Sequence, residues 1–459
     1  MLRKTLSGAV IALSLTGAST ALATNGMNLE GYGAKSHAMG GTGMAYDTGN
    51  SAVMNNPATL GYMKEGTEEI GIGIRGLHPS VELSYGGAND KSEATAFYMP
   101  SLSYMRKDGR ITWGAAVLSQ GGMGTDYGND SSLFQGGHTD AGSPSTATQT
   151  MLSGKDIRSE VGVGRLMFPI SYNLTDNTTI GASADFVWAS MDLQMDMDGM
   201  HFGMMETGGS MLSTVNDSTL KYIRYDFSNG TPFIGSAVGY GTGFKLGFTH
   251  KVSRLLTIGG TYHSQTMMSD LESSNAKLTV VNESTSAELT GKIKVNNFEW
   301  PATFAAGVAL HPTNRLMIAG DIKYVDWSSV MDKFSTTFTA DNTTANGAYA
   351  GKTLNMDMKQ DWRDQTVYSI GVEYKATKRL ALRGGASLST NPVPDAYLNP
   401  MFPAITKDHY TCGFGYRVTD DTKVGAAFSY APKVTETNGE GRVISHSQAN
   451  WSFNLVHNL

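Results

Sequence analysis

Cysteine is nearly absent from this chain of 459 residues, which contains Cys412 alone. A single cysteine cannot form an intramolecular disulfide, so stability has to come from backbone hydrogen bonds and packing. Cys412 stands in step with Tyr410, Phe414 and Tyr416 at every second position, which predicts a small apolar residue on one face of a strand. We therefore predict no cysteine chemistry.

Long apolar runs are missing as well. Beyond residue 23, small or polar residues interrupt every apolar stretch before it reaches the roughly 20 residues that a membrane-spanning helix needs. Residues 1–23 are typical of a secretory signal peptide, with Arg3 and Lys4, the apolar stretch Ile11 to Leu15, and the cleavage pattern Ala21-Leu22-Ala23. If the rest of the chain lies in a membrane, it has to form a closed barrel, because only closure satisfies every strand hydrogen bond in lipid.

Positive charge is in deficit. The formal net charge is −6, and loss of residues 1–23 takes it to −8, which argues against a nucleic-acid partner. The Gly-x-Ser-x-Gly and His-Glu-x-x-His motifs of hydrolases and zinc peptidases are absent. The glycine-rich run Gly239 to Gly243 leads into an apparent strand and not a helix, so it is not a nucleotide loop. We predict neither an enzyme nor a bound metal or cofactor.

What the sequence does contain is alternation. Fourteen stretches of alternating apolar and polar residues run from about Thr67 to Leu459. Six tight turns separate them near 107–109, 175–177, 252–254, 311–314, 376–378 and 419–421, and seven longer connections lie near 86–95, 120–158, 197–237, 270–299, 339–359, 389–406 and 432–447. Short turns at one end and long loops at the other are typical of an outer-membrane barrel. The predicted fold is an all-β, 14-stranded antiparallel transmembrane barrel over residues 64–459, in the outer membrane of a Gram-negative bacterium.

The two rows of each strand indicate which side faces lipid. Ile180, Ala182, Ala184, Phe186 and Trp188 form one apolar row, and we expect such rows to face lipid and the polar rows to face the lumen. A water-soluble barrel would have the opposite orientation. Aromatic residues near strand ends suit interfacial girdles; they are Tyr172, Trp188, Tyr324, Trp327, Tyr374, Tyr416, Tyr430 and Trp451.

A barrel of fourteen strands is too wide for its own side chains to fill, so its lumen needs a plug. Residues 24–63 precede the first strand, show no strand alternation and are rich in Gly and Ala. Such a segment packs closely in a narrow space, which predicts a plug; the alternative is a flexible linker.

Several motifs in this chain resemble the FadL-type family of outer-membrane transporters for long-chain fatty acids and other hydrophobic compounds. Asn25-Gly26-Met27-Asn28-Leu29 and the triplet Asn56-Pro57-Ala58 resemble the family's N-terminal hatch. Later matches are Trp300-Pro301, Asp321 to Ser328, Trp362-Arg363-Asp364, Arg383-Gly384-Gly385, Asn391 to Pro394 and Gly413 to Tyr416. The resemblance implies a hatch over 24–63, movement of that hatch on ligand binding, and a kinked third strand, here Arg110 to Gln120, that opens the wall sideways.

The expected function is transport of hydrophobic molecules, long-chain fatty acids first, with uptake of aromatic or aliphatic hydrocarbons and general diffusion as alternatives. A methionine-rich stretch suits apolar capture, although these residues also suit ordinary packing; it comprises Met197, Met200, Phe202, Met204, Met205, Met211 and Leu212. Four lumen cations, Arg165, Lys245, Lys323 and Arg383, are candidates for a ligand carboxylate or for structural pairing. The expected partners are a hydrophobic small molecule and outer-membrane lipid with lipopolysaccharide, and we expect a monomer.

Overall fold

The computed structural model describes residues 25–135, 152–215, 219–230 and 235–459, so the predicted signal peptide lies outside the described residues. Within these ranges, 22 strands join in one sheet. The strands are β1 (Glu68–Tyr85), β2 (Ala88–Lys91), β3 (Phe97–Asp108), β4 (Ile111–Asp126), β5 (Arg158–Asn173), β6 (Thr178–Asp198), β7 (Glu206–Gly208), β8 (Leu220–Asp226), β9 (Ala237–Lys251), β10 (Leu256–His263), β11 (Met267–Met268), β12 (Leu271–Asn282), β13 (Ser286–Asn296), β14 (Thr303–Leu310), β15 (Leu316–Val325), β16 (Lys333–Ala340), β17 (Thr353–Lys359), β18 (Gln365–Lys375), β19 (Leu380–Ser389), β20 (His409–Arg417), β21 (Thr422–Thr437) and β22 (Val443–Asn458). The α-helices are α1 (Gly33–Ala38), α2 (Ala52–Asn55), α3 (Ser132–Gln135), α4 (Gly199–Met205) and α5 (Leu212–Val215), and 3₁₀ turns span Gly49–Ser51, Pro57–Tyr62, Trp327–Ser329, Thr344–Tyr349 and Asp395–Tyr397.

Fourteen of these strands pair side by side in a closed ring. The order is β1, β3, β4, β5, β6, β9, β10, β14, β15, β18, β19, β20, β21 and β22, with every neighbouring pair antiparallel. The last strand closes the ring on the first, in a register that runs from Glu69 opposite Asn458 to Ser84 opposite Val443. The predicted all-β closed antiparallel barrel is thereby confirmed.

The strand total is larger than the fourteen predicted, because eight described strands lie outside the ring: β2, β7, β8, β11, β12, β13, β16 and β17. Most of them lie in connections that the sequence analysis treats as loops. Within 270–299, for example, β12 and β13 pair as a hairpin and β12 also pairs with β8. The sequence pattern does not reveal these strands, because strands that pair beyond the bilayer do not need an apolar residue at every second position.

The connections follow the predicted asymmetry. Each predicted tight turn overlaps a connection of two to five residues between ring strands. One predicted long loop, 432–447, is wrong: β21 continues to Thr437 and β22 begins at Val443, so the two strands extend as a hairpin with a short end. A bulge between Ala431 and Val434 lets this hairpin continue beyond the membrane-spanning part of the ring.

Apolar side chains face outward along the ring. On β18, Tyr368 and Ile370 are each 56% exposed, whereas Val367 between two outward positions is buried. Cys412 is exposed in the same row as Tyr410 and Phe414, as its position in the sequence predicts. No helix among the described residues is long and apolar enough to cross a membrane.

Candidate functional site

The space inside the ring is occupied by residues 25–62, which precede β1. A turn between Asn25 and Asn28 is held by two backbone hydrogen bonds, and α1, α2 and the 3₁₀ turns follow. Between residues 25 and 61, Asp47 alone is exposed. We call residues 25–62 the N-terminal segment.

Hydrogen bonds tie the N-terminal segment to several strands of the ring. The backbone N–H groups of Gly43 and Met44 donate to the Asp321 carboxylate on β15, at 2.6 and 3.1 Å. The N–H of Gly40 donates to Thr411 Oγ1 on β20, at 2.9 Å, and Ala34 N–H donates to a side chain of β22. Asn56 also bonds to Phe248 on β9, six positions from β22 around the ring, so the segment crosses the lumen.

The predicted hatch motif forms a capped corner. Asn56 Oδ1 accepts a hydrogen bond from Ala58 N–H at 3.1 Å, and Pro57 begins the 3₁₀ turn Pro57–Tyr62. Asn56 Nδ2 donates to the carbonyl oxygens of Met44, at 2.7 Å, and of Phe248 on β9, at 3.1 Å. One amide side chain thus fixes the local turn, the rest of the segment and the barrel wall together.

Inward-facing glycines make this close docking possible. A Cβ atom on Gly371 of β18 would lie 2.4 Å from the Met39 carbonyl oxygen, and one on Gly259 of β10 would lie 2.0 Å from that of Met44. Both distances are too short for any side chain, so the wall has to lack side chains where the segment's backbone touches it.

Three of the four predicted lumen cations form ion pairs within the wall. Arg165 and Lys245 are fully buried and both contact the Asp185 carboxylate, with Arg165 Nη1 at 2.8 Å from Asp185 Oδ2. Arg383 Nε donates to Glu373 Oε2 at 2.8 Å. The structure therefore brings Arg165 and Lys245 together but leaves Arg383 on another part of the ring.

Lys323 differs from the other three cations. It is partly buried on β15, two positions from Asp321, and forms no ion pair within 4.0 Å among the described residues. Both backbone hydrogen bonds that the N-terminal segment donates to Asp321 end on Oδ2.

Strands β3 and β4 separate part of the way along their length. Their pairing runs from Asp108 opposite Ile111 only to Leu102 opposite Val117, so the stretch Phe97–Ser101 of β3 has no partner on β4. At the same level β4 carries a bulge at Gln120, where the register with β5 shifts between Ser119 and Gly121. The predicted third-strand irregularity therefore lies in β4, at the end of the predicted stretch.

The N-terminal segment contacts this bulge directly. Tyr32 Oη donates to the Gln120 carbonyl oxygen at 2.7 Å, and Gly122 N–H donates to the Met27 carbonyl oxygen at 3.1 Å. Arg165 Nε donates to the Gln120 side-chain oxygen at 2.5 Å. A cavity of about 1120 Å³ lies against the segment and reaches from the short turns to Met99, Pro100 and Leu118 near the gap.

Three buried tryptophans lie beside the Asn25–Asn28 turn. Trp327 packs edge to face on Trp300, with ring centroids 5.6 Å apart, and on Trp362, at 5.2 Å. Trp300 Nε1 donates to Asn28 Oδ1 at 2.9 Å. The prediction of Trp327 as a girdle residue is wrong, because β15 ends at Val325 and the 3₁₀ turn Trp327–Ser329 carries the chain inward, where Trp327 is fully buried.

Sequence reasoning did not select these tryptophans as site residues. They do belong to the motifs that carry the family resemblance, and each lies in the irregular connection between two strands. Large aromatic residues in such connections are the sequence feature that could have identified them as site residues.

The methionine-rich stretch splits into a buried and an exposed set. Met197 lies near the end of β6 and is buried, as are Phe202 and Met211, whereas Met205 and Leu212 are half-buried. Met200 and Met204 on α4 are 48% and 68% exposed. Beneath α4 the interior is apolar, and a small cavity there is lined by Leu193, Met195, Met205, Tyr225, Met356 and Met358 among others.

His201 on α4 connects this stretch to the connection between β21 and β22. His201 Nδ1 lies 2.9 Å from Asp198 Oδ1, and its Nε2 lies 3.5 Å from Glu440 Oε1. Hydrogen bonds to Asp198 and then to Glu440 raise the pKa of His201 from its ordinary 6.5 to about 9. The imidazole is therefore protonated at neutral pH.

Comparison with known families matches residues 10–457 to the family described as outer membrane protein transport protein (OMPP1/FadL/TodX). The chain belongs to this family. The resemblance found in its motifs is confirmed, and so are the outer-membrane location and the transport of hydrophobic compounds as the family's class of function. This is a family of transport channels and not of enzymes.

Solved structures of family members resemble this chain along its length. The toluene transporter TodX of P. putida is 29% identical with a TM-score of 0.81, and the alignment covers 94% of this chain and 99% of that one. The toluene transporter TbuX of Ralstonia pickettii is 28% identical with a TM-score of 0.76, at the same coverage. A Pseudomonas aeruginosa FadL homologue, at 14% identity and a TM-score of 0.65, shows the fold alone.

A curated relative from Chlorobium limicola, an uncharacterized protein in the 5′ region of the phosphoenolpyruvate carboxykinase gene, is 62% identical over 122 residues. That match covers 26% of this chain and 59% of the relative.

Proposed function

We propose that this protein takes up small uncharged hydrophobic molecules, monoaromatic hydrocarbons in particular. The observation that carries this proposal is the state of the lumen cations: Arg165, Lys245 and Arg383 are held by Asp185 and Glu373. A cation already paired in a dehydrated site gains little from a ligand carboxylate. An uncharged ligand needs no such partner.

The relatives support the same cargo. Two family members at 28 and 29% identity, each aligned over 94% of this chain, are toluene transporters. The Pseudomonas aeruginosa FadL homologue is less similar, at 14% identity. The order of the two cargo predictions is therefore reversed here, with hydrocarbons ahead of long-chain fatty acids.

The proposed route has three parts. The exposed Met200 and Met204 capture cargo among the lipopolysaccharide of the outer leaflet, because thioethers adapt to apolar ligands of different shape. Cargo then moves through the apolar interior to the Trp300–Trp327 cluster and leaves sideways between β3 and β4, where the pairing is interrupted. One copy is sufficient for this route, since every ring strand is already paired on both sides.

In this proposal the N-terminal segment is a hatch. It bars water and polar solutes because it crosses the lumen and is hydrogen-bonded to β9 on one side and to β22 on the other. A general diffusion porin needs an open polar channel, and buried side chains fill that position here.

Long-chain fatty acid uptake remains the second candidate, and Lys323 is the observation that favours it. This lumen cation lacks an ion-pair partner among the described residues, so it is able to receive a carboxylate. A Lys323→Met variant separates the two cargo classes, because methionine keeps most of the side-chain volume and removes the charge.

The experiment measures uptake of labelled toluene and of labelled oleate by cells that lack the gene, carry it, or carry Lys323→Met. We expect the gene to raise toluene uptake well above oleate uptake, with no effect of Lys323→Met on toluene. Oleate uptake that depends on the gene and falls with Lys323→Met would establish the fatty acid instead. Equal uptake of both compounds with and without the gene would remove the transport proposal.

A further inference from the structure

A buried carboxylate of the N-terminal segment contacts two strands directly and a third through a histidine. Glu30 is fully buried, and its Oε2 lies 2.5 Å from Arg75 Nη2 on β1. Its Oε1 accepts a hydrogen bond from Ser429 Oγ on β21 at 2.7 Å. The same Oε1 lies 3.0 Å from His37 Nε2, and the His37 ring also contacts Ser452 Oγ on β22, at 2.7 Å from Nδ1.

These contacts connect the N-terminal segment to the barrel wall and do not connect wall strands to one another. Glu30 and His37 belong to the N-terminal segment, whereas Arg75, Ser429 and Ser452 belong to β1, β21 and β22. Arg75 also donates from Nη1 to the Gly31 carbonyl oxygen at 2.7 Å, so one guanidinium holds both the carboxylate and the adjacent backbone. Because the guanidinium is planar and contacts two acceptors, it fixes the orientation of the segment here as well as its position.

The position of Glu30 in the chain connects this cluster to the wall gap. Met27 and Tyr32, three residues before and two residues after Glu30, both contact the β4 bulge. The stretch 27–32 therefore runs from the β21–β22–β1 part of the wall to β4. If Glu30 leaves Arg75, the same stretch loses the anchor that holds it against the bulge.

We propose that the Glu30–Arg75 pair is the lock of the hatch: while it is intact the lumen stays closed, and its separation frees stretch 27–32 from the wall. The inference rests on the proposed hatch function and adds the residues that set the closed state. Loss of one partner leaves the other group buried without this counter-charge, which favours the arrangement in which that group reaches water. Loss of both partners removes this penalty.

The test is single-channel recording of the full-length purified protein in planar lipid bilayers. The variants are Glu30→Gln, Arg75→Met and the double variant. We expect each single variant to raise the open probability at least about tenfold, because a buried unpaired charge shifts a two-state equilibrium by more than that factor. The double variant is expected to open less often than either single variant.

Glu69→Gln is the matched control. Glu69 lies on β1 like Arg75, and its Oε1 lies 3.4 Å from Lys423 Nζ on β21, so this substitution breaks an ion pair between two wall strands. Its open probability is expected to equal that of the unsubstituted protein. A difference in electrophoretic mobility between unboiled and boiled samples verifies that each variant forms the barrel, and Arg75→Met tests the lock if Glu30→Gln does not fold.

The lock is wrong if both single variants open no more often than Glu69→Gln, or if the effects of the two substitutions simply add in the double variant, as loss of packing alone would give. Toluene uptake by the unsubstituted protein is measured in parallel. If the unsubstituted protein takes up toluene but the single variants do not change the open probability, the lock is wrong and the proposed function stands. If the unsubstituted protein takes up no toluene, the proposed function itself is wrong.

Discussion

At the scale of single residues, the packing of the interior depends on inward-facing glycines as much as on large side chains. Gly371 and Gly259 face inward on β18 and β10, and carbonyl oxygens of the N-terminal segment occupy the places their Cβ atoms would fill. The glycines of the polar rows therefore leave room for a second layer of backbone.

Gly371→Ala is predicted to undock part of the N-terminal segment. Its new methyl group would lie 2.4 Å from the Met39 carbonyl oxygen, and overpacking of this kind costs about 1–3 kcal/mol. That cost corresponds to roughly a 5- to 150-fold larger undocked population. The rate of tryptic cleavage after Lys35, whose side chain is only 24% exposed in the docked segment, reports the change.

Gly320→Ala is the control for this substitution. Gly320 lies on the adjacent β15, directly opposite Ile370, and the nearest atom to an added Cβ there is the Ser369 carbonyl oxygen at 3.8 Å. Cleavage after Lys35 is expected to remain at the unsubstituted rate. Equal acceleration by both alanines would show that the effect does not come from docking.

His201 gives a prediction of pH dependence. Its folded pKa, about 9, lies above the ordinary 6.5, so its contacts with Asp198 and Glu440 contribute fully below pH 6.5 and are lost as the pH rises through about 9. Histidine ring NMR on the purified protein should therefore show one ring that titrates near pH 9 and is missing in His201→Gln. Glu440→Gln should lower that value, and titration of His201 near 6.5 would contradict the described contacts.

At the scale of elements, β4 is the strand whose irregularity matters most. Its extra residue at Gln120 falls where β3 and β4 cease to pair, and a bulge bends a strand and interrupts its ladder. The gap and the bulge are therefore two aspects of one deformation, and the N-terminal segment touches it through Tyr32 and Met27.

Deletion of Gln120 is predicted to straighten β4 and close the gap. Because the bulge adds one residue, its removal keeps inward and outward positions in step on both sides. Toluene uptake should fall about tenfold or more if exit through the gap limits the rate, a change of about 1.4 kcal/mol in the barrier. Gln120→Ala keeps the extra residue, loses only the side chain bonded to Arg165, and should retain most of the uptake; unchanged uptake on deletion would exclude this exit.

Elements also show where the sequence was informative and where it was not. The ring strands were predictable because lipid on one face enforces a period of two, as Tyr368 and Ile370 show. Strands β12 and β13 carry no such constraint, and β21 and β22 continue past the bilayer edge with polar residues. Trp327 was misplaced because strand alternation was extended across the end of β15 into a 3₁₀ turn.

The candidate site was predictable in type and not in detail. Their places in the polar rows predict that Arg165, Lys245 and Arg383 face inward. The sequence does not show that Arg165 and Lys245 both pair with Asp185. These three residues lie on different strands, β5, β9 and β6, and only the folded ring brings them together. Likewise, Asn56-Pro57-Ala58 indicates a turn, while its bond to the Phe248 carbonyl depends on which strand comes alongside.

At the scale of the whole molecule, a closed ring with an apolar outer face encloses a lumen that its own N-terminal segment fills. Fourteen strands leave more space than their inward side chains occupy, and residues 25–62 take up that space. The chain therefore combines a wall suited to lipid with a lumen that its N-terminal segment crosses, and the gap beside β4 provides the exit proposed for cargo.

The most direct measurement is side-by-side uptake of labelled toluene and labelled L-arabinose by porin-deficient cells, with and without this chain in the outer membrane. Our account predicts that the chain raises toluene uptake and leaves arabinose uptake at the background rate, because the closed lumen excludes a polar solute of similar size. An equal rise for both solutes, or no rise for toluene, would contradict it.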